Sequence, residues 1–168
     1  MPQILAQGVA ILIIVLMAAG GQAKTQRMFL LYQVVINALY ILHYGLLSAA
    51  TGVAIATICV IRTLIFFLYR KAEKELPLWL LITIFTVVIG SGIATWDNWL
   101  SIMPILATIL FTYGQWQHNV QITRKAVVAG DVGWCIYNLF YFGYIALIGN
   151  IVEITSCSIA LHRHRKGM

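Results

Sequence analysis

Apolar residues run along this chain in long unbroken stretches, and the polar positions between them crowd into short clusters. The period-two alternation of a half-buried strand is missing, and each stretch approaches the roughly 20 residues that a helix needs to cross about 30 Å of hydrocarbon. Set against turn residues and charge clusters, the pattern predicts helices over 3 to 20, 28 to 47, 51 to 70, 77 to 95, 99 to 117, 128 to 147 and 149 to 163. A closed β-barrel, the other spanning structure, needs strands of about ten residues with alternating polarity and does not fit.

Composition turns seven apolar helices into an all-α integral membrane protein. The chain has 168 residues, 61% hydrophobic and 10% charged, with a mean hydropathy of +0.90. That leaves too little polar surface to cover a water-soluble globule. The first run, Ile4 to Ala19, has no basic residue before it and reads as a retained helix instead of a secretory signal.

The net charge of +6 does not imply a nucleic-acid partner, because its positions are ordered. Lys24 and Arg27 follow the first helix, Arg70, Lys71 and Lys74 the third, Arg124 and Lys125 the fifth, and Arg163, Arg165 and Lys166 the seventh. Ten of the eleven basic residues thus fall on one side, while the opposite connections hold only Asp97 as a charge. The positive-inside rule places the N-terminus outside and the C-terminus in the cytoplasm of a multi-pass protein of the inner (plasma) membrane. Three cysteines without CxxC spacing suggest neither a disulfide framework nor a metal site. No cofactor is expected. The lipid bilayer is the one sure partner, and a homo-oligomer is left open.

An internal repeat appears once the helices are numbered. "GQAKTQR" from Gly21 and "GQWQHNVQITRK" from Gly114 each lead through a basic loop to a helix carrying Asn-x-x-Tyr, as Asn37 with Tyr40 and Asn138 with Tyr141. A neutral turn with glycine, Gly52 or Gly149, and a third helix follow. The expected organisation is 3+1+3: a first three-helix repeat (1–75), a linker transmembrane helix (76–96) and a second three-helix repeat (97–168), the two repeats being parallel about an axis along the membrane normal.

The polar residues inside the apolar runs are the candidates for chemistry. With helices at the expected bounds, Asn37 and Asn138 each lie about 14 Å from the cytoplasmic end, close to the midplane. Gln33, Asn37, Tyr40 and Tyr44 share one helix face, and Asp131, Trp134, Asn138 and Tyr141 share another. Amides that only join helices are the plain alternative; an aromatic-flanked, repeated pair favours a solute cavity. Arg62, alone among the basic residues in lying deep in a span, calls for a partner, and Asp131 is the expected one. Glu153 and His43 are candidates for ion pairing or proton relay, and Pro104, deep in the fifth helix, for a hinge. The chain has no HExxH and no GxSxG, and no paired carboxylates at a common depth are expected, so it reads as no enzyme.

Taken together, these stretches resemble the MtN3-like superfamily of SWEET and SemiSWEET sugar transporters, PQ-loop proteins, PnuC-type vitamin transporters and KDEL receptors, with the closest likeness in the bacterial YgjV-type inner membrane family. "HYGLL" from His43 resembles the superfamily's W-x-x-Y-G stretch and "GNIV" from Gly149 its asparagine element, which would make Asn150 a substrate ligand. The Pro-Gln signature is replaced by Gly21-Gln22 and Gly114-Gln115. The resemblance implies a transporter of a small polar metabolite, sugar-, vitamin- or amino-acid-like, working by alternating access at a midplane site between the repeats. The alternative it allows is a membrane receptor or assembly protein on the same fold.

Overall fold

A computed structural model describes residues 2–48, 50–94, 96, 98–142 and 144–165, with side chains for all of these except 2, 50–52 and 54. Asp97 and Lys166, used above to argue orientation, lie outside the described residues, as do the surroundings of Gly52. The described backbone forms seven α-helices: α1 (Pro2–Gly21), α2 (Gln26–Leu46), α3 (Ala50–Lys71), α4 (Leu78–Ala94), α5 (Ile102–Trp116), α6 (Val120–Phe140) and α7 (Tyr144–Arg165). A 3-10 turn, Trp99–Ser101, leads into α5.

By length and composition α1, α2 and α7 are long and apolar enough to cross a bilayer, and α4 is a shorter apolar helix. Two of the others depart from that pattern for visible reasons: α5 has 15 residues, and α6 begins with a polar turn and carries Arg124, Lys125 and Asp131.

α2 lies between α1 and α3, and α6 lies between α5 and α7. The two triplets meet where α1 packs on α7 and α3 on α5, and the middle helices α2 and α6 touch each other; α4 packs on α5. Phe29, Leu30, Ile13, Phe66 and Cys157 fill the interior, while Ile4, Ile11, Ile55, Ile82 and Ile145 are more than half exposed. Such an outward apolar surface suits lipid tails and not water.

One boundary differs from the sequence reading and changes the site. Helix six was expected over 128 to 147, yet α6 starts eight residues earlier. Asn119, extended at φ −92° and ψ 114°, accepts a hydrogen bond from the Gln121 amide at 2.8 Å and caps the first turn. The chain then reverses at Tyr141 and Phe142, the latter at φ 54°, and not at Gly149. Gly149 is buried inside α7 and faces α1: a Cβ there would stand in ordinary contact with Ile14 and Met17, at 3.7 and 3.8 Å. Asp131 therefore moves to the middle of its helix, and Asn138 to the third position from its end.

Candidate functional site

The interior polar cluster is built by α2, α6 and α7. Gln33 of α2 donates from Nε2 to Oε1 of Glu153 on α7 at 3.0 Å. Asp131 of α6 lies within electrostatic reach of Glu153, and both carboxyls act on the Tyr40 hydroxyl. The two acids are 2% and 5% exposed. Asp131 Oδ2 is buried without a hydrogen-bond partner.

Helix counting puts these groups on one level. Asn37 stands nine residues before the end of α2, Asp131 nine before the end of α6, and Glu153 nine after the start of α7. At 1.5 Å per residue each is about 14 Å from the same end of the bundle. The expectation that no carboxylates share a depth is thus overturned by the shift of the α6–α7 boundary. So is the expected pairing of Asn37 with Asn138 at matching depth. Their seven-residue offset is two helical turns, which preserves the face while moving the residue along the axis. Both amides are half-buried, and neither makes a hydrogen bond among the described residues.

The other candidates fall into place around this level. Tyr40 stacks on Tyr44 with ring centroids 5.8 Å apart, and its hydroxyl lies 4.0 Å from Met17 Sδ. Asn150, half-buried, sits one turn before Glu153 on α7. Trp134 is half-buried with its ring edge-on to Tyr137 at 5.7 Å. Tyr141 is exposed at the C-terminus of α6, where its hydroxyl accepts from Asn98 Nδ2 at 2.7 Å. It does not face the cluster's level. His43 Nδ1 is 2.9 Å from the Ala6 carbonyl, a bond that joins α2 to α1.

Two expectations fail outright. Arg62 and Asp131 form no ion pair; the guanidinium donates from one terminal nitrogen to Thr112 Oγ1 of α5 at 3.0 Å, and its Nε has no partner. The expected start of helix six at 128 places Asp131 near a helix end, whereas the start of α6 at Val120 puts it in the middle of the helix. Pro104 is the third residue of α5, in the first turn, where its missing N–H would have had no intrahelical acceptor. It is a helix-start proline, and the hinge expectation loses its basis. The pairing correction carries a prediction: the stability losses of Arg62→Gln and Asp131→Asn, measured by thermal unfolding in detergent, add in the double variant to within about 0.5 kcal/mol.

A second polar group, missed from sequence, closes the end of the bundle where α1 and α5 finish. Arg124, 4% exposed, donates to the carbonyls of Gly21 at 2.9 Å and Ala23 at 2.6 Å and to Gln121 Oε1 at 2.8 Å. Gln22 reaches the Ser156 carbonyl at 2.6 Å, and Ser156 Oγ donates to the Ala18 carbonyl at 2.5 Å. At the matching end of α5, Gln26 donates to the Gln115 carbonyl at 3.1 Å, Thr123 to the Gly114 carbonyl at 2.6 Å, and Arg70 to the Trp116 carbonyl. Helix C-termini leave carbonyls unsatisfied, and here the partner triplet supplies most of the donors. The only sequence signal was the recurrence of Gly-Gln at 21–22 and 114–115.

The two triplets also agree in local structure. α2 and α6 both have 21 residues, and α3 and α7 both have 22. Thr25 and Asn119 cap the former pair; Ser48 and Phe142, at φ 56° and 54°, end it. The interval from Thr25 to Asn119 equals that from Ser48 to Phe142 and that from Ala50 to Tyr144. In that register Asn37 corresponds to Asp131.

The model of a bacterial inner membrane protein family, Imp-YgjV, matches residues 4–167. No curated protein and no solved structure matches the chain.

Proposed function

Because the chain belongs to the Imp-YgjV family of bacterial inner membrane proteins, we propose that it carries a small polar metabolite across that membrane, at a site formed by Gln33, Asn37, Tyr40, Asp131 and Glu153. The observation that carries this reading is the Gln33–Glu153 hydrogen bond beside Asp131, inside a bundle whose exterior is apolar. Polar groups at that depth are costly, and they commonly mark a substrate or ion pathway. Amide and carboxyl groups can replace the water a solute loses, and the rings of Tyr40 and Tyr44 offer a face for stacking.

The equal intervals between caps, turns and helices support reading residues 1–75 and 97–168 as parallel three-helix repeats joined by α4, and with them the likeness to the MtN3-like superfamily. On this reading the end closed by Arg124, Gln22 and Gln26 is the cytoplasmic one, following the basic residues. Alternating access would open that end by parting α1 from α6 and α7.

The test is a thermal-shift screen of the detergent-solubilised protein against sugars, amino acids and vitamins, followed by uptake into proteoliposomes. A solute at 100 times its dissociation constant stabilises by about 2.7 kcal/mol. That stabilisation is expected in the wild type and lost in Gln33→Leu and Asn37→Leu variants that remain folded. Stabilisation without uptake would favour the receptor alternative; no response to any solute would remove the site.

A further inference from the structure

Two buried carboxyl groups, Asp131 and Glu153, stand at one level on the packed helices α6 and α7, and neither has an ion-pair partner among the described residues. Arg62 is held by Thr112 of α5. Arg124, on the same helix as Asp131, is directed to the Gly21 and Ala23 carbonyls and to Gln121. α1, which packs on α7, has no ionisable side chain at all. α2 contributes Tyr40; α5 contributes only Tyr113, which is exposed; α6 and α7 themselves add Cys135 and Cys157. None of these supplies a fixed positive charge to the pair.

Like charges in a low-dielectric interior cannot both persist without compensation. The two acids are not equivalent, because Gln33 gives Glu153 an N–H donor while Asp131 Oδ2 has none. We propose that Asp131 and Glu153 form one intramembrane proton-binding site, with the exchangeable proton resident on Asp131. Loading forms a single O–H bond on the carboxyl, and unloading returns the proton to water. The shared chemistry is one positive charge, and two observations favour a proton over a metal ion. No group of three or more His, Cys, Asp or Glu side chains able to hold a metal occurs among the described residues. Gln33 also turns its NH2 toward Glu153, offering hydrogens where a hard cation needs oxygens.

The site itself stands on this geometry. Only its role as the coupling ion rests on the transport reading above, with one proton bound while the site faces one side and released when it faces the other.

Infrared titration of the purified, solute-free protein reads the proton directly. A carboxylic-acid C=O band at neutral pH that depends on Asp131 reports the interior pair. The band is expected in the wild type, shifts in deuterated water, and is lost in Asp131→Asn. Its absence from the wild type overturns the proposal whatever any variant does. So does its full retention in a folded Asp131→Asn protein. Replacing choline chloride by sodium chloride at fixed pH leaves the band unchanged if the occupant is a proton; its disappearance would assign the site to a metal cation instead. The measurement uses no solute, so a failed uptake assay leaves it standing and a missing band leaves transport standing.

Discussion

Arg124→Leu is expected to lower the melting temperature of the detergent-solubilised protein by roughly 10 °C, about 3 kcal/mol or more of stability. The guanidinium satisfies two carbonyls at the end of α1, those of Gly21 and Ala23, from a side chain that is itself buried. Leucine keeps helix propensity and much of the volume, so the loss measures orphaned carbonyls instead of a broken helix. Lys125→Leu is the control, because Lys125 is the next residue, is exposed and carries the same charge. Equal melting temperatures for the two variants would show that Arg124 serves topology and not the closed end of the bundle. The stakes extend to function, since the same bonds hold α1 to α6 at the end assigned above to the cytoplasm.

Gly21→Ala is expected to destabilise by about 1 to 3 kcal/mol, read in the same melting experiment. A Cβ at this position would lie 2.6 Å from Ser156 Oγ, 2.9 Å from Ser156 Cβ and 3.1 Å from the Cys157 backbone nitrogen. The hydroxyl could rotate away, but Ser156 Cβ and the α7 backbone cannot, so α1 and α7 must separate. Separation would stretch the bonds from Gln22 and Ser156 between the same helices. Gly45→Ala, with nothing within 4 Å of the added carbon, is expected to be neutral or slightly stabilising from helix propensity. A Gly21→Ala protein that melts with the wild type would mean that the close approach of α1 to α7 is dispensable.

Much of the architecture was legible in the apolar stretches because lipid leaves the backbone no option but internal hydrogen bonding. Helices one to four fall within about two residues of their expected ends. The sixth and seventh do not, and the reason is local. Glycine is read from sequence as a turn residue, yet Gly149 is buried inside α7 and faces α1, while the reversal takes place beside Phe142. The polar start of α6, from Gln121 to Lys125, resembles a loop when hydropathy is the guide. In the structure it is a helical turn that is capped by Asn119 and buries Thr123 and Arg124 against the ends of α1 and α5.

By itself the sequence determined that the chain is apolar and helical, where most helices run, and which polar residues interrupt them. Those properties depend on hydropathy and on the length needed to cross a bilayer, both of which are written in composition and spacing. Which polar residues meet was decided only by the tertiary structure. Asn37 and Asn138 share a motif but not a depth, whereas Asp131 and Glu153 share a depth with no motif between them. A seven-residue displacement keeps a side chain on the same helix face, so periodicity cannot detect it. Depth is set by where each helix begins, and for α6 that start depends on a cap at Asn119 and on the carbonyls of Gly21 and Ala23, which reach Arg124 from more than a hundred residues away in the chain.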